Sequence, residues 1–513
     1  MPEMVATVLS LRDARAVGGT WFAVALALYW LTGARGPIWA DPSKLTLYAI
    51  KGYFPSLNPG DHAGWSVLGW AWLHVVDGDP VVTLHRLSAV CGALVVALAA
   101  MLVLARGGDR ARAHTAAALL LVALPLWWAS AVAETYAPAL AATLGAALVL
   151  GKTPRGWRWW VGGALWGLAV AIHAMSVFLI APLAWEAART RAWRLLPGFV
   201  VGSAPVWLAV AGGPPDPLTG FAASGASTWR WHWEAFLALA RAPRGAVILT
   251  ALLLYALGLA GVVALWRGRR GPHGSVAWAW SLGGLSLLLL TYAPYRLHLM
   301  VAFLLVGVLV ALPVQLPAWA RLGHVVLQTL LYLAVPAVLT ITGRQDLGVR
   351  ELPDRNNAFY FLSPVRSVRS GTPAASRTVM SLPRESTVAH WRSALDPGAE
   401  SYLAGLSDCA PERAVVLADF NPGALLRLAQ VAHGWRPDLE IRPVAVDVAL
   451  GAADPVEALA AEVRGALATR PAVLADGWEP YYRTRELAAR FALQPCGSGV
   501  RVEPLRPGSD LSP

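Results

Sequence analysis

At 513 residues, 56% hydrophobic and only 14% charged, the chain is too apolar for a soluble globular protein. Its net charge of +11 does not mark a nucleic-acid binder, because the excess is scattered as small Arg clusters between apolar runs. Several runs reach bilayer length, and Trp127-Trp128 and Trp159-Trp160 stand at run ends, so the sequence reads as an all-α polytopic membrane protein.

The first apolar segment, 17–31, is followed by polar sequence without a small-residue cleavage site and is expected to stay as a helix. Further apolar runs fall near 84–105, 114–131, 135–151, 159–185, 195–212, 245–266, 275–293, 297–313 and 322–342. The run 159–185 is long for one helix and is interrupted by His173. The distribution of Lys and Arg puts the N-terminus in the cytoplasm and the loop 34–83 and the C-terminal region outside, provided that 159–185 enters and returns on one side. Heavy use of Arg, Ala and Gly, with Lys44, Lys51 and Lys152 as the only lysines, points to a GC-rich bacterium, and a multispan chain of that origin is expected in the bacterial inner (plasma) membrane.

The loop 34–83 gathers Asp41, Lys44, Lys51, Asp61 and His62 in one early stretch. Asp41, in "IWADPSKLTLYA", suits a helix cap before Pro42 and equally a carboxylate held at the membrane face as general base. "NPGDHAGW" opens an apolar stretch too short to span, expected as an interfacial helix with Asp61 and His62 as a cap or a site pair. "VDGDP" reads as a turn before the next helix rather than a cation site.

Glu134, in "WWASAVAETYAP", lies between two closely spaced apolar runs and is expected to face a polar cavity. His173 is a helix–helix hydrogen-bonding residue or a ligand. "TYAPYRLHLM" places Tyr295 and Arg296 at the outer side, where an Arg either snorkels or grips a phosphate. Zinc spacings, a Walker A loop and a nucleophile elbow are absent from the sequence, so neither a metal nor a cofactor is expected.

From about Gly343 charges become frequent and balanced. "AVVLADF" (414–420), "IRPVAVDVAL" (441–450) and "PAVLADG" (471–477) read as short buried strands separated by helical patterns. "DPVEALAAEVRGALATR" carries Asp454 as N-cap, Pro455 at the first helical position and Glu457 in the first turn. The expected division is 1–342 as the transmembrane part and 343–513 as an extracytoplasmic α/β domain. Cys409 and Cys496 both fall in that domain, where an oxidising compartment permits a disulfide; Cys91 reads as a packed small residue.

The early Asp41, the "DHAG" turn with His62, "WWASAVAETY" and "GLAVAIHAMSVFLIAP" together resemble a large bacterial family of multispan proteins. That family was long catalogued as a domain of unknown function. It is related to an animal membrane protein O-mannosyltransferase, within the GT-C class of lipid-donor glycosyltransferases. "LPDRNNAFYFLSPVRS" and "AVVLADFNPGALLRLAQVAHGWRPDLEI" resemble its outer region. The resemblance implies a GT-C-like fold of about eleven transmembrane helices, with 159–185 as two half-helices. It matches Asp41 to the first-loop acid, His62 to the turn His, Trp128, Glu134 and Tyr136 to the Trp/Glu/Tyr element and His173 to the mid-membrane His. Lys44 stands where the family has a second acid, and "DHAG" lacks two prolines of the family turn, departures that imply a reworked site in which Asp61 restores the carboxylate, a different substrate, or a loss of activity.

The implied activity is transfer of a sugar from a polyprenyl-phosphate donor to an acceptor hydroxyl on protein, lipid or polysaccharide. In it Asp41 acts as base, and Lys44, Arg86 and Arg296 are phosphate candidates. A transporter or flippase for a lipid-linked sugar and a non-catalytic cell-envelope assembly protein are the competing readings; the absence of an internal repeat weighs against the transporter.

Overall fold

The structure is a computed structural model that describes residues 2–38, 41–52, 62–105, 107–151, 156–173, 176, 192–212, 218, 241, 259–261, 263–264, 316–342, 397–444, 454–475 and 482–505. Helix α1 (Pro2–Thr32) is followed by short helices α2 (Asp41–Lys51) and α3 (Ala63–Leu73), then by the long α4 (Pro80–Ala105). Within them, Asp13–Thr32 and Pro80–Ala105 are each long and apolar enough to cross a bilayer. Helices α5 (Arg110–Leu121) and α6 (Leu124–Ala131) meet at a 62° bend and together pass the same test. Pro125, in the first turn of α6, lacks the amide needed to continue the hydrogen-bond ladder from α5. Helix α4 is the hub: it packs against α1, α5, α6 and α7 (Tyr136–Leu150).

Helix α8 (Arg158–Ile172) stops where the sequence placed an interruption, because His173 leaves the helix with extended φ −154 and ψ 120. The expected second half-helix lies outside the described residues, as do most of the runs 245–313 that make up the count of eleven crossings. The apolar run 195–212 forms two helices, α9 (Leu196–Gly202) and α10 (Ala204–Ala211), which part at Ser203 before Pro205. Helices α8 and α9 approach backbone to backbone. A methyl on Gly163 or Gly167 would run into the carbonyls of Leu195 and Phe199, and one on Gly198 or Gly202 into those of Trp160 and Ala164. Two small-xxx-small pairs thus face each other, the packing that apolar helices use where water supplies no driving force.

The outward faces are apolar. Trp319, Leu322, Val326 and Leu330 form an exposed stripe at helical spacing on α11 (Ala318–Thr342), and Trp157, Trp160 and Trp193 are exposed around the start of α8 and the turn before α9. Such surface suits lipid and its interface.

In the C-terminal part, α12 (Pro397–Cys409), β1 (Val415–Ala418), α13 (Phe420–His433), β2 (Glu440–Pro443), α14 (Pro455–Leu467), β3 (Ala472–Leu474), α15 (Thr484–Leu487), β4 (Phe491–Cys496) and β5 (Gly499–Pro504) build a five-stranded sheet in the order β2-β1-β3-β5-β4. The first three strands are parallel, and every residue of β1 and β3 is buried, as a sheet covered on both faces requires. The hairpin β4–β5 completes the sheet antiparallel to β3. Its two-residue turn begins with Gly497 at φ +53, and Pro495 sits on the edge strand, where a missing amide costs least. Asp454 caps α14 by accepting from the amides of Val456 and Glu457, each at 3.0 Å. Cys409, at the end of α12, is disulfide-bonded to Cys496 of β4, with Cα atoms 5.0 Å apart, while Cys91 is a buried free thiol in α4.

Candidate functional site

Asp41 opens α2, a helix whose residues Pro42–Ala49 are all buried although they include Lys44. Helix α3 is fastened to it by the Trp65 indole, which donates to the Leu45 carbonyl at 3.0 Å. Helix α2 also packs against α13 (Phe420–His433). Lys44 lies one turn after Asp41, with Nζ 3.9 Å from Oδ1 and its side chain 11% exposed. The ammonium stands 5.8 Å from the ring centre of Tyr48 and 5.9 Å from that of Phe420, so two aromatic faces flank it. A carboxylate and an ammonium are thus held close together where α2 meets α13.

His62 precedes α3 in the left-handed region, at φ 67 and ψ 37, a conformation uncommon for residues other than glycine. Two contacts hold it there. Its Nδ1 lies 2.8 Å from the Ile172 carbonyl, which only accepts, so Nδ1 carries the proton. Its ring stacks on His173 with centroids 5.1 Å apart. Gly64 lets α3 touch the end of α8, since a methyl there would meet the Ala171–Ile172 peptide at 2.7 Å. Tyr136, at the start of α7, packs on the other imidazole, 5.0 Å from His173. Residues from the α3 entry, the α8 exit and the α7 start therefore converge, and α2 is tied to them through the Trp65–Leu45 bond.

Glu134 is 2% exposed in the turn 132–135, immediately before Tyr136. Its amide donates to Ser88 Oγ at 3.2 Å, and the neighbouring Thr135 amide lies 3.3 Å from Glu134 Oε2. Trp128 is buried in α6. Arg86 turns to another neighbour: its guanidinium lies 4.9 Å above the ring of Trp30, which is itself 43% exposed on α1. Asp79 caps α4 by accepting from the Val82 amide at 2.9 Å, the turn role expected of "VDGDP". Asp61, Tyr295 and Arg296 lie outside the described residues.

Comparison with known proteins adds a likeness of shape. Neither a protein-family model nor a curated protein matches this sequence. Two solved structures align over nearly the whole chain. ArnT from Cupriavidus metallidurans in the apo state has 13% identity and a TM-score of 0.48, with 98% of each chain covered. ArnT from the same organism bound to undecaprenyl phosphate has 13% identity and a TM-score of 0.46, with 97% of each covered. Likeness at this level fixes neither activity nor substrate, and the chemistry has to come from the chain's own residues.

Those residues include one that the sequence reading passed over. His85, 2% exposed in α4, touches both the segment leading to Asp41 and the turn holding Glu134. A single His within an apolar helix gives no local pattern from which two distant main-chain partners could be read.

Proposed function

We propose that the chain is a membrane glycosyltransferase of GT-C type, moving a sugar from a polyprenyl-phosphate donor to an acceptor hydroxyl by a single inverting displacement. One observation carries the reading: Asp41 and Lys44 stand 3.9 Å apart on a buried turn of α2, just after a span-length apolar helix. A carboxylate there serves as base and the ammonium as partner for a phosphate, the two charges that the reaction needs. The acceptor oxygen attacks the anomeric carbon as the bond to the phosphate oxygen breaks. Asp41 takes the hydroxyl proton, and the polyprenyl phosphate leaves with the electron pair beside Lys44. His62, His173 and Tyr136 supply a ring-lined wall suited to a saccharide face. The Cys409–Cys496 disulfide supports an oxidising, outer location for the C-terminal domain, and hence for α2 packed against it.

The test is transfer by the full-length protein in lipid nanodiscs, using a panel of polyprenyl-phosphate sugars that starts with mannose and cell-envelope extracts as acceptors. Intact-mass detection reads the product. Asp41→Asn is expected to lose roughly 100-fold or more in kcat, the usual contribution of a positioned base, while keeping its thermal midpoint. Full activity in that variant would remove Asp41 from the chemistry. Movement of the labelled donor between leaflets without product would replace the transferase by a flippase.

A further inference from the structure

One imidazole joins the two carboxylate-bearing segments. The Nδ1 of His85 accepts the Ala133 amide at 2.8 Å, and its Nε2 faces the Gly36 carbonyl at 3.0 Å. An amide only donates and a carbonyl only accepts, so Nδ1 is bare and Nε2 carries the proton; the ring is neutral and confined to one tautomer. Ala133 adjoins Glu134, and Gly36 lies in the short segment 33–38 that leads into α2 and Asp41. The same two segments also meet directly, the Ala34 amide donating to the Ala131 carbonyl at 2.8 Å. One turn beyond His85 on α4, Ser88 accepts the Glu134 amide. A buried imidazole is costly unless both nitrogens are satisfied, whereas an apolar residue would fill the same volume without that cost. A histidine whose two nitrogens bridge two distant pieces of chain is therefore a spacer.

We propose that His85 is a positioning residue: in its single neutral tautomer it sets the separation between the Asp41 segment and the Glu134 turn. The proposal rests on the transferase reading of those carboxylates, and its test separates the two. His85→Asn keeps an acceptor near the Nδ1 position, His85→Gln keeps a donor near the Nε2 position, and His85→Leu keeps neither. All three are made in the full-length protein in nanodiscs. Hydrogen–deuterium exchange of the peptide containing Ala133, the thermal midpoint, and kcat and KM for sugar transfer are then measured. Exchange at Ala133 is expected to stay within threefold of the parent protein in His85→Asn and to rise at least tenfold in the Gln and Leu variants. In all three, kcat is expected to fall 10- to 100-fold with KM within threefold, because an ångström of misplacement costs about that much.

A loss of kcat that only follows the folded fraction, or unchanged exchange in His85→Leu, would reduce His85 to a packing residue and overturn the proposal. Absence of transfer by the parent protein, with the exchange pattern as expected, would sink the transferase reading and leave the spacer standing.

Discussion

Arg436 shows how much one side chain can hold. It sits at φ 34, grips Asp438 through Nε and Nη2 at 2.8 and 2.9 Å, and donates to the carbonyls of Ser407, in the last turn of α12, and of Ala410 and Pro411 just after it. Asp438 also accepts the Arg413 amide at 3.0 Å. Bonding to the Arg436 guanidinium, followed by the Arg413 amide, holds the Asp438 carboxyl well below the usual carboxylate range. A group depressed in the folded state gives stability that is complete above its unfolded value near ~3.9 and declines as pH falls through the folded one. Asp438→Asn is therefore expected to cost about 1 kcal/mol at pH 7, since the pair is partly exposed, and progressively less below pH ~4. Thermal unfolding of the full chain at pH 7 and at pH 3.5 checks this; an equal penalty at both pH values would show that the charge is not the source. At this scale the sequence was legible where the partner is local, as with Asp454 and the two amides after it. It was not legible for the carbonyl partners of Arg436 at the end of α12 or for those of His85, which lie in segments that only the fold brings near.

Among the elements, the expected strands at 414–420 and 471–477 contain β1 and β3, because buried parallel strands are continuous apolar runs bounded by polar turns; the one expected at 441–450 overlaps β2 only at 441–443, and 445–450 lie outside the described residues. The β4–β5 hairpin was missed, since Pro495 and the polar residues of a half-exposed edge break the apolar pattern. The break at His173 was visible; the contact between α8 and α9 was not, although Gly163/Gly167 and Gly198/Gly202 have the spacing of a close helix crossing. Side chains there would meet backbone, which cannot swing away. Gly167→Leu and Gly202→Leu are each expected to cost about 3 kcal/mol, the upper end for overpacked sites. Gly19→Ala, with open space around the glycine, serves as the neutral control. Thermal midpoints in detergent decide: variants as stable as the control would mean that the two helices do not touch in the membrane.

For the molecule as a whole, the α/β pattern expected after Gly343 is seen in the sheet and helices described from Pro397 on, but nothing in the sequence announced where they pack. Three contacts ring the segment that bears Asp41. Gly36 faces Glu400 of α12, Lys44 faces Phe420 at the head of α13, and Asp79 Oδ2 lies 3.6 Å from His433 Nδ1 at its tail. Helix α13 thus lies along α2, and the α/β domain forms one wall of the proposed site. Buried Asp419, just before Phe420, fixes that helix head: its Oδ2 accepts from the Tyr482 hydroxyl at 2.8 Å, and its amide donates to the Tyr482 hydroxyl oxygen at 2.9 Å. If Phe420 holds the Lys44 ammonium against α2, the two side chains are energetically coupled. Phe420→Ala and Lys44→Met should each destabilise the full-length protein, and the double variant should lose less than their sum by about 1 kcal/mol, the range of a partly desolvated cation–aromatic contact. Phe420→Tyr keeps the aromatic face and should keep most of the coupling. Unfolding free energies of the four proteins in detergent measure it directly. Strict additivity would uncouple the domains at this point, and the membrane helices alone would then have to fix Lys44.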